Sequence, residues 1–147
     1  MKFYKLFTAL VFTLSYSFLV AQQHEVKMLN SGTEGLMVFE PSVLSINPGD
    51  SVVFKATDMS HNSASIAGMI PDGAESWSGV MNQDIEINFT KEGVYVYQCT
   101  PHSMMAMVGV IRVGAASNLE SIKQKAEIKK QTFVMNKDRL TTYLSNL

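Results

Sequence analysis

The chain has 147 residues, a formal net charge of −1, 46% hydrophobic and 17% charged residues, and one cysteine. That length fits one ordinary domain with its own core, the near-neutral balance argues against a nucleic-acid partner, and a lone cysteine excludes an internal disulfide framework. Internal repeats, low-complexity stretches and Gly-rich phosphate loops are all missing from the sequence.

The opening segment, MKFYKLFTALVFTLSYSFLVAQQ, sets Lys2 and Lys5 ahead of an apolar run from Leu6 to Val20. A basic start, an apolar middle and a small residue make a secretory signal over 1–21, with cleavage expected after Ala21 although Leu19 is large for its position. A membrane-spanning helix needs about 20 apolar residues, and this run is shorter and interrupted by Thr8, Thr13, Ser15 and Ser17. Cleavage would leave about 126 residues carrying ten basic and thirteen acidic side chains, and would deliver them to the periplasm. In that oxidising compartment a lone thiol is buried and inert, paired between chains, or reserved for chemistry.

From 22 to 114 the apolar residues come in short bursts between turn signals, a β pattern. EVKMLN and LSIN read as strands near the front, with His24 in a loose, solvated N-terminal stretch. SVVFKAT, 51–57, follows the turn NPGD, in which Pro48 and Gly49 favour a tight reversal. A short strand is expected just after His61, and DIEINFT, 84–90, alternates with Ile85, Ile87 and Phe89 inward. GVYVYQC puts Val94 and Val96 on one face and Tyr95, Tyr97 and Cys99 on the other, ending before Pro101, which cannot donate to a ladder. VGVIRV, 108–113, is the next strand. Seven or eight such strands with no helical interruption predict a β-sandwich.

The composition changes near Gly114. From Ser117 onward the pattern is helical, with Ser117 or Asn118 as a candidate N-cap and apolar Leu119, Ile122, Ala126 and Ile128 at helix-like intervals. A second short helix is expected to start near Asn136 and to bury Leu140, Tyr143 and Leu144. Residues 115–147 hold six basic and three acidic side chains, so a basic helical extension is expected to pack on an acidic sandwich.

QCTPHSMMAMVG, 98–109, concentrates the chemistry. An ion that only exchanges one electron needs ligands that barely move between its two states, and two imidazoles, one thiolate and a weak thioether provide that for copper. Cys99 and His102 are separated by two residues, a spacing common among metal ligands, and His61 sits at the mouth of a loop after a strand. Met104, Met105 and Met107 are all within reach, but Met107 immediately precedes a strand and is held by it, whereas the other two lie in the open loop. Four filled positions leave no open site for a substrate, so catalysis is not expected.

CTPHSMMAM, HNSASIAGMIPDGAE and GLMVFEPSVLSINPGD resemble the pseudoazurins, type 1 (blue) copper proteins of the cupredoxin superfamily. The resemblance covers nearly all of the chain after 21. It implies a mainly β fold, a cupredoxin Greek-key β-sandwich with two C-terminal α-helices, and one copper ion per chain held by His61, Cys99, His102 and Met107. It further implies that Asn62 ties the two ligand loops together, and that Met37, Pro101 and Met105 form an apolar docking patch around His102. The implied role is single-electron transfer by a monomer in transient complexes with copper nitrite reductase, nitrous oxide reductase or a c-type cytochrome, without a small-molecule substrate. The sequence departs from the resemblance where Met59, Ala67 and Gln98 stand in place of lysines beside the site, so weak electrostatic steering is expected. The rival reading is a periplasmic protein for copper delivery or homeostasis, favoured by the abundant methionines.

Overall fold

The computed structural model describes residues 20–147, and the expected signal segment lies outside them except for its last two positions. Eight strands form two four-stranded sheets. The first has the order β2-β1-β4-β6, from Gly35–Glu40, Gln23–Gly32, Ser51–Lys55 and Ile85–Asn88; the second, β3-β8-β7-β5, comes from Val43–Ile46, Val108–Val113, Gly93–Gln98 and Ala64–Ser65. Parallel pairing of β1 with β4 and of β3 with β8 interrupts the antiparallel ladders and marks the crossovers of a Greek-key sandwich. A helix α1, Leu119–Lys130, and a helix α2, Arg139–Ser145, follow. None of the described helices is long and apolar enough to cross a membrane.

Each residue of β7 from Gly93 to Tyr97 is buried, because both faces of the strand are covered. Tyr95, Tyr97 and Cys99 turn toward the other sheet and pack with Phe39, Phe54, Trp77 and Phe89. Val94 and Val96 turn the opposite way and pack with Ile122, Ala126, Phe133, Leu140 and Leu144 of the helical segment. A strand covered on two sides tolerates little truncation, and Leu140→Ala, at a side chain with 0% exposure, is expected to cost about 2–5 kcal/mol. Position 109, opposite Tyr97 in the β7–β8 ladder, must be glycine, since a Cβ there would lie 2.3 Å from the Tyr97 hydroxyl oxygen.

Several expectations need correction. His24 is not in a loose terminus: β1 begins at Gln23, and His24 Nε2 lies 3.0 Å from Asp50 Oδ2. The strand Gly35–Glu40 pairs with β1 in a hairpin that the alternation of GLMVFE does not announce. Ile85 and Ile87 are only half-buried because β6 is an edge strand, while Phe89 is 1% exposed. Ile128 is 73% exposed; Ile122 and Ala126 define the buried face of α1. Asn118 occupies the N-cap position without capping, since its Oδ1 accepts from Val94 N–H (2.7 Å) and its Nδ2 donates to Val94 O (2.9 Å). There it supplies β7 with ladder bonds beyond the end of the two-residue β5. Helix α2 starts at Arg139, not near Asn136, whose φ of 51° falls in the left-handed region.

Candidate metal centre

His61 lies in the loop that leaves β4. Ser60, with φ 73°, turns the chain inward there, and the loop is stitched to its neighbour by Ser60 N–H to Asn82 Oδ1 (2.5 Å) and Asn82 N–H to His61 O (2.9 Å). The imidazole is 0% exposed, with Nε2 2.9 Å from Asn30 Oδ1. An amide oxygen only accepts, so Nε2 carries the proton and Nδ1 offers its lone pair to the interior. Burial, and then the neighbouring His102, lower the pKa of His61 and keep that lone pair free of a proton.

Cys99 stands just past the end of β7, where its N–H donates to Met107 O (2.9 Å) and closes the loop between them. Its Sγ lies 3.6 Å from His61 Nδ1 and 3.4 Å from His102 Nδ1, and the two Nδ1 atoms are 3.2 Å apart. Burial pushes the thiol pKa up, while the backbone N–H groups of Asn62 and His102 pull the other way. Cys99 is 0% exposed and His102 half-buried, so His102 alone of the three reaches the surface.

Asn62 bridges the two loops. Its Nδ2 donates to Gly79 O (3.1 Å) and Thr100 Oγ1 (3.2 Å), and its Oδ1 accepts from Thr100 N–H (2.8 Å). Met107 is 0% exposed, belongs to the same apolar cluster as Cys99, and donates its N–H to His102 O (3.2 Å). Met104 is 57% exposed and Met105 half-buried, so the loop turns only Met107 wholly inward. Ala106, with φ 56°, makes that turn. Pro101 is exposed and Met37 half-buried, the latter at a left-handed φ of 52° on β2. Met59 is 68% exposed, Ala67 is exposed and Gln98 half-buried, so these uncharged side chains do reach the surface or its margin.

The donor set fits a metal held in a trigonal plane. Three bonds of about 2 Å spread in such a plane separate the donor atoms by about 3.5 Å, and the observed sides are 3.2, 3.4 and 3.6 Å. Among the described residues this is the one group of three His, Cys or carboxylate ligand atoms close enough to share an ion.

A family model for copper binding proteins of the plastocyanin/azurin family matches residues 26–114. A pseudoazurin from Methylorubrum extorquens is 47% identical over 104 residues, covering 70% of each chain, and one from Paracoccus pantotrophus is 43% identical over 111 residues, covering 75% of this chain and 77% of that one. The chain belongs to the pseudoazurins, in the plastocyanin/azurin family. The crystal structure of pseudoazurin from Methylobacterium extorquens AM1 superposes with a TM-score of 0.74 at 39% identity, covering 84% of this chain and 98% of that one. As a pseudoazurin the chain takes one copper ion and is an electron-carrying cupredoxin, not an enzyme.

Two contributions to the site carry no sequence signal that spacing could expose. Asn30 reaches His61 from the end of β1, thirty-one positions away, and Arg139 of α2 reaches Ala106 O (3.1 Å).

Proposed function

We propose that His61, Cys99, His102 and Met107 hold the copper and that the protein shuttles single electrons between periplasmic redox proteins. The observation that carries this reading is the triangle of two Nδ1 atoms and one Sγ with sides of 3.2 to 3.6 Å, sealed on the His61 and Cys99 sides. When bound, copper supplies a one-electron couple; the chain's own residues hold, orient and shield.

Asn30 fixes the ring of His61, Asn62 locks one ligand loop to the other, and the β7–β8 ladder holds Cys99 and Met107 at its end. Such an over-determined frame keeps reorganisation small when one electron is gained or lost. His102, at the surface beside Pro101 and Met105, is the port through which a partner couples. Copper nitrite reductase, nitrous oxide reductase or a c-type cytochrome suits a carrier of this kind, docking on the apolar face of Pro101, Met105 and Met37.

Burial of His61, Cys99 and Met107 favours keeping the ion over handing it on. The test is Cys99→Ser. Loaded with Cu(II), the parent protein is expected to show an intense thiolate charge-transfer band that survives repeated reduction and reoxidation, and the variant to lose it while staying folded. A colourless parent that surrenders Cu(I) to a modest chelator would establish delivery instead.

A further inference from the structure

The helical extension does more than cover the outer face of β7 and β8. Its segment 134–139 runs along the loop between His102 and Met107 and supplies one donor to each of three consecutive carbonyls. Val134 N–H donates to Met104 O (2.8 Å), Asn136 Nδ2 to Met105 O (3.4 Å) and Arg139 Nη1 to Ala106 O (3.1 Å). Arg139 also reaches the other sheet, with Nη1 donating to Met37 O (2.9 Å) and Nη2 to Leu36 O (3.2 Å).

Both residues whose carbonyls share Nη1, Met37 and Ala106, are non-glycine residues in the left-handed region, with φ of 52° and 56°. That conformation is disfavoured for a residue with a Cβ and persists where surrounding contacts impose it. Ala106 precedes Met107, so its left-handed turn is what directs the Met107 side chain inward. A guanidinium is permanently charged, and its charge-assisted bonds to carbonyls are stronger than neutral ones.

We propose that Arg139, at the head of α2, is a positioning residue for the metal centre: by clamping the carbonyls of Ala106 and Met37 it fixes the turn that sets Met107 and couples the C-terminal helices to the ligand loop. The proposal rests on the ligand assignment above only for its effect on copper; the clamp on the loop itself is independent of it.

The test compares Arg139→Gln with Tyr143→Phe, a change in the same helix that removes the Tyr143 hydroxyl bond to Glu34 Oε2 and does not touch the ligand loop. In metal-free Arg139→Gln, amide hydrogen exchange at Ala106 and Met107 is expected to rise at least tenfold over the parent, and in Tyr143→Phe to stay at the parent rate. In the loaded proteins, Arg139→Gln is expected to change the ratio of Cu(II) to Cu(I) affinities at least threefold, which is about 30 mV at 59 mV per tenfold for one electron. Arg139→Lys, whose ammonium can serve the same two carbonyls, is expected to recover most of both effects. If Arg139→Gln lowers thermal stability as Tyr143→Phe does but leaves the exchange at 106 and 107 and the affinity ratio at parental values, the clamp is refuted and the residue is merely structural. A parent that binds copper without colour would instead sink the ligand assignment, and the metal-free exchange would still decide the clamp.

Discussion

His24 and His61 stand at opposite ends of the same parallel strand pair. β1 and β4 run together from Gln23 beside Ser51 to Lys27 beside Lys55; His24 opens the pair, and His61 lies in the loop beyond its end. At the opening end His24 meets the carboxylate of Asp50, which is 2% exposed and also accepts from the backbone N–H groups of Gln22 (2.8 Å) and Asn47 (3.0 Å). At the far end His61 meets the neutral amide of Asn30. One imidazole is thus held through Nε2 by a carboxylate in a knot that ties the strand starts together, and the other is held through Nε2 by a neutral amide. What separates these two histidines is the place of Nδ1: that of His61 lies beside Cys99 Sγ (3.6 Å) and His102 Nδ1 (3.2 Å), in the group of ligand atoms that could share an ion.

The largest separation of the two ends is expected from the pair His61→Ala and His24→Ala. The first is expected to abolish the blue band and the second to leave it unchanged, both read by absorbance after Cu(II) loading; colour lost from His24→Ala would break the comparison. Next, Asn30→Ala frees the His61 ring, and copper affinity is expected to fall about tenfold, the lower end of the effect of removing a hydrogen-bond partner from a metal-ligating histidine. Competition titration with a chelator measures it.

Acid provides a subtler contrast. Backbone donation from Gln22 first, then His24 and Asn47, lowers the Asp50 pKa from 3.8 to about 2. A carboxyl whose folded pKa lies below its unfolded value adds stability that is complete above the unfolded pKa and fades as pH falls through the folded one. The window for Asp50 therefore runs from 3.8 down to about 2. Asp50→Asn is expected to lower the thermal midpoint by a few degrees at neutral pH and to flatten its decline across that window, without changing the colour. The smallest effect is expected at the docking end, where Met59 and Gln98 bring no charge: turnover with a partner reductase is expected to fall less than threefold between low and moderate ionic strength.

Most of the sandwich was legible in the sequence because two-residue alternation is a local property. GVYVYQC separates its two faces correctly, and the strand before Met107 distinguishes that thioether from its neighbours. Reading failed wherever a residue takes its role from a distant partner. Asn118 reads as a helix cap yet serves a strand, because the edge of β7 lacks a neighbour at Val94. His24 reads as solvated because Asp50 is remote in sequence. Ile128 is apolar but stands two positions after Ala126, off the face that Ile122 and Ala126 share, and so faces solvent. The proposed ligands could be read from a twelve-residue stretch plus one upstream histidine, whereas the side chains that touch His61 and the loop before Met107, Asn30 and Arg139, lie far from that stretch in the sequence.

Trp77 gives the molecule a built-in optical gauge. It is the single tryptophan, is 8% exposed, stacks on Phe54 at 5.9 Å, and donates its indole N–H to Ser63 Oγ (3.0 Å), two positions from His61. Its fluorescence is therefore expected to report one dry environment next to the ligand loop, with quenching on ion uptake and a red shift on loss of the fold. Occupancy and unfolding can be tracked separately in one unlabelled sample.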